Sequence, residues 1–290
     1  MKQILHLSLA ALLLHGLCAQ VLAADPTTTL WYDKPATKFQ QSLPLGNGRL
    51  GAMVFGGVDE ERIVLNESSI WSGSREESDR PDAHKVLPEI RRLLLEGRNV
   101  EAEKLVNANF TCQGKGSGHA KGANLPFGCY QTLGNLRLKF GASTNTVQDY
   151  RRELDLATAA ARVTYRRDGI MFSREHVVSA PDEAFVSRLA ADKPGALSFS
   201  VALDRPERFI TTVPAGNELL MTGTLNDGSG GKGVSYAARL RVLARGGSVR
   251  VDGNELIVEK ADEVVLLLAA ATDFKGFAGR QLNDPLAAAK

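Results

Sequence analysis

Cysteine is scarce in this 290-residue sequence, with three residues in all, and tryptophan is scarcer still, with two. Once an N-terminal export segment is set aside, Cys112 and Cys129 are the thiols that remain, with His119 the one histidine near them. A structural zinc ion wants four ligands, so no metal site is expected. Neither sign of charge is in excess, since 35 basic residues against 33 acidic ones give +2. A balanced surface of this kind argues against nucleic acid as a partner. Beyond residue 23 no apolar run is long enough to span a bilayer, so no membrane partner is expected either. Internal repeats are absent as well. With 43% apolar and 23% charged residues, collagenous, coiled-coil and low-complexity classes drop out. The length allows one large β domain or two ordinary ones.

The first two dozen residues read as a targeting segment. Met1-Lys2 gives a positive start, residues 4–14 are largely apolar, and Val21-Leu22-Ala23 ends in small residues, which is the pattern of a signal peptide cleaved after Ala23. Residues 1–23 are therefore expected to direct export to the periplasm or the extracellular space. Their removal takes away Lys2 and leaves 34 basic against 33 acidic residues, +1. Leu17 stands where a lipoprotein signal wants a small residue before Cys18, which argues against a lipid anchor. In an oxidising compartment Cys112 and Cys129, which flank the glycine-rich residues 113–128, are a candidate disulfide. Two free thiols are the alternative, and geometry decides between them.

Hydrophobic patterning is that of a β protein. Residues 28–39 read as an edge strand and a proline-led turn. Gly46-Asn47-Gly48 favours a tight turn, followed by strands over 49–55 and 62–65, with Ile63 and Leu65 on one face. After Pro81, Val86, Ile90, Leu93 and Leu94 recur at helical spacing, Gly97 caps that helix, and Asn99 reads as the N-cap of a second one through Val106. Both helices are expected to pack on a sheet. Leu136, Leu138 and Phe140 then alternate with polar residues, and Val163 and Tyr165 lead to Asp168-Gly169, a hairpin signal, and a strand over 170–178. Further strands read at 184–189, 197–203, 218–222, 234–243, 255–258 and 264–270, and glycine-bearing turns punctuate them. Arg151-Arg152 and Arg166-Arg167 are expected on the solvated face of a sheet. The expected fold is mainly β: one large antiparallel two-sheet sandwich over residues 24–275, with a short helical insertion near residues 81–108. Residues 276–290 change character and end as a helix cap with a first helical turn.

Several kinds of chemistry find no residues to carry them. The glycine-serine-glycine spacing of a nucleophile elbow is missing. After cleavage the histidines would be His84, His119 and His176. His84 reads as a solvated residue at a helix start and His176 as an ordinary sheet residue. Glycine-rich residues 114–118 and 228–233 miss the phosphate-loop spacing and read as flexible rim loops, so no cofactor is expected. Glycoside hydrolysis usually needs two facing carboxyl groups. The acids here come mainly in exposed-looking groups such as Asp59-Glu60-Glu61 and Glu76-Glu77-Ser78-Asp79. Glu67 stands apart, between Asn66 and Trp71 after a strand. It is either a structural carboxylate or part of a polar site beside an aromatic platform. An indole face stacks on the C–H face of a sugar ring, and Trp71, in its Ser-Gly setting, is the candidate for that role. Trp31 is assigned to the core.

Five segments carry a resemblance: TLWYDKPA, SLPLGNGRLGAMVFGGVDEERIVLNESSIWSG, PDAHKVLPEIRRLLLEG, CYQTLGNLRLKF and LLLAAATDF. Together they resemble the N-terminal domain of glycoside hydrolase family 95, whose best-known members are α-L-fucosidases acting on terminal α-1,2-linked fucose. The likeness runs from residue 28 to about residue 285. It implies a large antiparallel sandwich, followed in family members by a linker and an (α/α)6 barrel. The barrel holds the catalytic acid and the water-activating groups of an inverting reaction. No barrel stands in this sequence, so no catalytic residue is assigned. The implied partners are fucosylated glycans, met through the full-length enzyme, and the barrel itself, packed on the sandwich. By analogy Asn66, Glu67 and Trp71 are candidate substrate-proximal residues. Asn47 and Arg49 are weaker ones, more simply read as a turn residue and a strand residue. Two functions follow. One is the N-terminal piece of an exported fucosidase-like enzyme, inactive alone; the other is a free-standing, non-catalytic sandwich that binds carbohydrate or another protein.

Overall fold

Alternation of buried and open positions along the strands builds two sheets with a common apolar interior. The computed structural model describes residues 25–74, 79–111, 128–142, 144–274 and 284–289. The expected signal segment lies outside these residues, as does Cys112 and with it the expected disulfide. Strands β1 (Thr29–Tyr32), β2 (Leu43–Gly46), β3 (Leu50–Val54) and β4 (Glu60–Glu67) come first. Helices α1 (Leu87–Leu95) and α2 (Asn99–Asn109) follow, then β5 (Gly134–Lys139), β6 (Gln148–Asp155), β7 (Ala160–Arg167), β8 (Ile170–Ser179) and β9 (Ala184–Ala191). The run continues with β10 (Leu197–Asp204), β11 (Ile210–Ala215), β12 (Glu218–Asn226), β13 (Lys232–Arg245), β14 (Ser248–Asp252), β15 (Glu255–Ala261) and β16 (Glu263–Thr272), and closes with α3 (Pro285–Ala288).

One sheet has nine strands in the order β1-β6-β7-β8-β9-β16-β13-β12-β11, the other seven in the order β14-β15-β10-β5-β4-β3-β2. Neighbours run antiparallel, as in β7–β8, β13–β16 and β4–β5. Ile63, Leu65, Leu136, Leu138 and Val201 face inward from the smaller sheet, and Val163, Phe185, Leu240, Leu266 and Leu268 from the larger, all fully buried in one core. This is the expected two-sheet sandwich. Asp168 and Gly169 both have positive φ, 54° and 73°, as a tight hairpin between β7 and β8 requires. No helix among the described residues is long and apolar enough to cross a membrane.

Four expectations change. The helices do not pack on a sheet; Ile90, Leu93 and Ala102 bury against each other in a small core of their own, leaving Leu94 exposed. Asn99 is the first residue of α2 and Arg98 occupies the cap, so the helix is entered without a side-chain cap and runs on to Asn109. Trp31 is not in the core. Register pairs Leu30 with the inward Leu154, so alternation turns Trp31 outward beside Glu153, 57% exposed on an edge strand. Finally, two charges assigned to the surface are buried. Arg152 donates inward to the carbonyls of Lys34 and Gln41 (both 2.7 Å). Glu61, 0% exposed, meets Arg174 at 3.1 Å across the sandwich.

That buried pair is well satisfied. Glu61 also accepts from the backbone N–H groups of Phe55 (3.2 Å) and Gly56 (2.9 Å), while Arg174 donates to Gly57 O (2.6 Å) and Tyr165 Oη (2.9 Å). Burial pushes the Glu61 carboxyl above its usual range, with the Arg174 charge opposing. Gly56 is required here. Tyr150 Oη donates to its carbonyl at 2.7 Å, and a Cβ at this position would lie 2.4 Å from that oxygen.

Candidate functional site

The β2–β3 turn, the end of β4, the start of β5, the β8–β9 turn and the end of β16 meet at one end of the sandwich. Asn47 shapes the first of these. Its Oδ1 accepts from the N–H groups of Arg49 (3.0 Å) and Leu50 (2.8 Å), and its Nδ2 donates across to Ser179 O (2.9 Å). Arg49 is thereby aimed between the sheets. Its Nη1 donates to Ala270 O at 2.7 Å and lies 3.5 Å from Glu67 Oε1, while its Nε lies 3.3 Å from Glu183 Oε2. Glu67 is buried, as the inward phase of β4 dictates. Its other oxygen accepts from the Ser69 N–H (2.8 Å) and from Ser69 Oγ (2.5 Å), and that hydroxyl in turn touches Thr272 Oγ1 at 2.5 Å.

Beyond Ser69 the chain turns outward and presents Trp71, 49% exposed. Trp71 forms an isolated antiparallel bridge with Tyr130, and the two rings stand edge to face, centroids 5.5 Å apart. Burial and the nearby Glu67 charge raise the Tyr130 phenol above its ordinary value. Ser72 and Cys129 tie the two segments together: Ser72 N donates to Cys129 O and Cys129 N to Ser72 Oγ, both at 3.0 Å. The Ser72 hydroxyl also lies 3.8 Å from the half-buried Cys129 Sγ. The β12–β13 loop joins the rim through Gly73 N to Asn226 O (2.7 Å). Asp227 stiffens that loop by accepting from Ser229 N (2.7 Å) and Gly231 N (2.8 Å), which lowers its carboxyl below the usual range. The loop at the rim covers residues 227–231, so Lys232 and Gly233 of the expected loop belong to β13, while residues 114–118 lie outside the described residues.

Of the five candidates, Asn47, Arg49 and Glu67 form one connected group, and Trp71 stands at its rim. Asn66 does not join them. It alternates with Glu67 and points to the outer face of the smaller sheet, beside Gly51, where its Oδ1 is buried without a partner among the described residues. Sequence reasoning missed Tyr130, Ser69 and Glu183. Tyr130 left a trace as an aromatic next to Cys129, and Ser69 stands two residues from Glu67 in the quoted segment; Glu183 is brought in by folding. A cleft of about 470 Å³ opens beside Arg49, walled by Glu183, Arg239 and Arg241 and closed by Ala289 after α3. Among the described residues no three His, Cys, Asp or Glu side chains come together as metal ligands.

The chain as a whole has counterparts among known proteins. Residues 30–277 match the family described as "Glycosyl hydrolase family 65, N-terminal domain". The chain belongs to this family. It is 36% identical over 269 residues to alpha-L-fucosidase 2 of Arabidopsis thaliana, covering 85% of this chain and 30% of that protein. A second relative, described as probable alpha-fucosidase A of Aspergillus niger, is 29% identical over 280 residues, or 91% of this chain and 33% of that protein. The chain thus spans about a third of the length of these family relatives. A solved structure described as a kojibiose phosphorylase from human microbiome aligns with 90% of this chain and 33% of its own, at a TM-score of 0.48 and 11% identity. The resemblance to a fucosidase N-terminal sandwich holds, under a family label of 65 where the motifs alone suggest 95.

Proposed function

We propose that this chain is the N-terminal sandwich of an exported α-L-fucosidase-like glycoside hydrolase, that its strand-end site forms part of the wall against which a catalytic (α/α)6 barrel packs, and that alone it turns over no substrate. One observation carries the inactivity. Glu67 and Glu183 both face Arg49, at 3.5 and 3.3 Å, so a guanidinium occupies the space between them. Hydrolysis of a glycosidic bond needs that space for the sugar, with one carboxyl free to give a proton and the other to act on water or the anomeric carbon. Glu67 has both oxygens engaged as acceptors, by Arg49 and Ser69. Its role is to hold the wall.

Fucosylated glycans are the substrate class this reading supplies, through the names of the relatives and through the open Trp71–Tyr130 pair, a surface suited to a sugar's C–H face. The inverting course and the family-95 assignment belong to the same proposal. Incubating the purified chain with 2′-fucosyllactose and measuring free fucose is the direct test, and none is expected. Release of fucose that Glu67→Gln abolishes would overturn the proposal. Export is checked separately, by locating the mature protein and sequencing its N-terminus.

A further inference from the structure

Trp31 lies far from the strand-end site in its own surroundings. It sits on the outer face of the nine-stranded sheet, in register with Glu153 of β6, Arg162 of β7 and Glu175 of β8. The Arg151 guanidinium lies over its ring at 4.9 Å from the centroid, while more than half of the residue remains open. The row beyond it is charged but internally neutralised. Arg151 meets Glu153 at 2.6 Å, and Arg162 lies 4.0 Å from Glu153 and 3.6 Å from Glu175.

Leu30 and Tyr32 are exposed beside Trp31 along β1, and apolar residues exposed together mark an interaction surface whose neighbours indicate its kind. An apolar protein partner would have to strip water from this charged row, a cost that such pairs rarely return. A polyol need not, because its hydroxyls replace water one for one as donors and acceptors to carboxylates and guanidinium groups. Since the row's charges cancel in pairs, it offers no net field to an anionic ligand. Three interstrand spacings separate Trp31 from Glu175, about 14 Å at the usual spacing, which is the length of a short oligosaccharide.

We propose that Trp31 and the Arg151–Glu153–Arg162–Glu175 row form an accessory binding platform for a neutral oligosaccharide, with one sugar ring against the indole and the next ones along the row. The platform is separate from the strand-end site and does not depend on it. Isothermal titration of the purified chain tests this, with 2′-fucosyllactose and cellotetraose as neutral probes and tetragalacturonate as the anionic one. Saturable binding of a neutral probe is expected, weakened about tenfold or more by Trp31→Ala and largely kept by Trp31→Phe. Thermal melting of Trp31→Ala should match the parent, because the side chain is largely exposed. The proposal is overturned if no neutral probe binds, if Trp31→Ala binds as well as the parent, or if tetragalacturonate is preferred. Loss of binding through Trp71→Phe alone would also overturn it, and would place the sugar at the strand-end site instead.

Discussion

Arg49 fastens the two sheets together at the strand-end site. Its guanidinium bonds to Ala270 O of the larger sheet and pairs with Glu67 of the smaller one, with both side chains mostly buried. Removing one partner of such a pair leaves a desolvated charge behind, which is more damaging than the pair itself is stabilising. Arg49→Met is therefore expected to cost about 2–4 kcal/mol. Glu67→Gln, which keeps the shape and the Ser69 contacts, should cost about half as much, and the two should be non-additive. Urea midpoints of the two single variants and the double variant measure this. A loss below about 0.5 kcal/mol for Arg49→Met, the range of ordinary surface changes, would show that the guanidinium is not a structural tie. In the sequence Arg49 was legible only as a strand residue, because its partners stand at positions 67, 183 and 270.

Strand β8 carries His176 into the sandwich interior, stacked on Phe185 with centroids 6.0 Å apart and neither ring nitrogen partnered among the described residues. Burial, with a smaller contribution from the Arg174 charge, pushes its pKa down from 6.5 to about 3. The unfolded chain then binds a proton that the folded chain refuses. Stability is full above pH 6.5 and falls as pH drops from 6.5 toward 3. The slope approaches about 1.4 kcal/mol per pH unit. Glu61, held above its usual range, works in the opposite direction, so a comparison of variants is needed to isolate the histidine. His176→Phe is expected to flatten the acid limb between pH 6.5 and 4 while changing stability little or favourably at pH 8. Urea melts across that range decide it, and parallel curves for parent and variant would remove His176 as the cause. At this scale the sequence was informative about strands with regular alternation, such as β7 and β8. It marked no strand bounds for β6, β11 and β14, because QDYRRELD, ITTVPA and SVRVD have few apolar residues to alternate.

The molecule as a whole leaves apolar surface uncovered, most plainly on the α1–α2 hairpin. Leu95 is 89% exposed, and Leu94, Val100 and, at the far end of α2, Phe110 are exposed as well, while the hairpin's own small core faces inward. Apolar surface of this kind on a soluble domain favours association. The isolated chain is expected to self-associate as its concentration rises, and Leu95→Lys combined with Val100→Lys should lower the weight-average mass in sedimentation equilibrium without changing the melting temperature appreciably. A parent chain that stays monomeric at high concentration would contradict this.

Period-two alternation and glycine turns determined the two-sheet sandwich, the helical spacing of Val86, Ile90 and Leu93 its helical insertion, and the residue 43–73 motif its kinship with glycosidase N-terminal domains. Those signals are local, and burying an alternating face has few solutions. Tertiary structure alone decided that Trp31 faces solvent, that Glu61 and Arg174 pair inside, and that Asn47, Arg49 and Glu67 close around one another while Asn66 turns away. Each of those outcomes depends on strand register and on partners far along the chain, and composition and spacing do not carry that information.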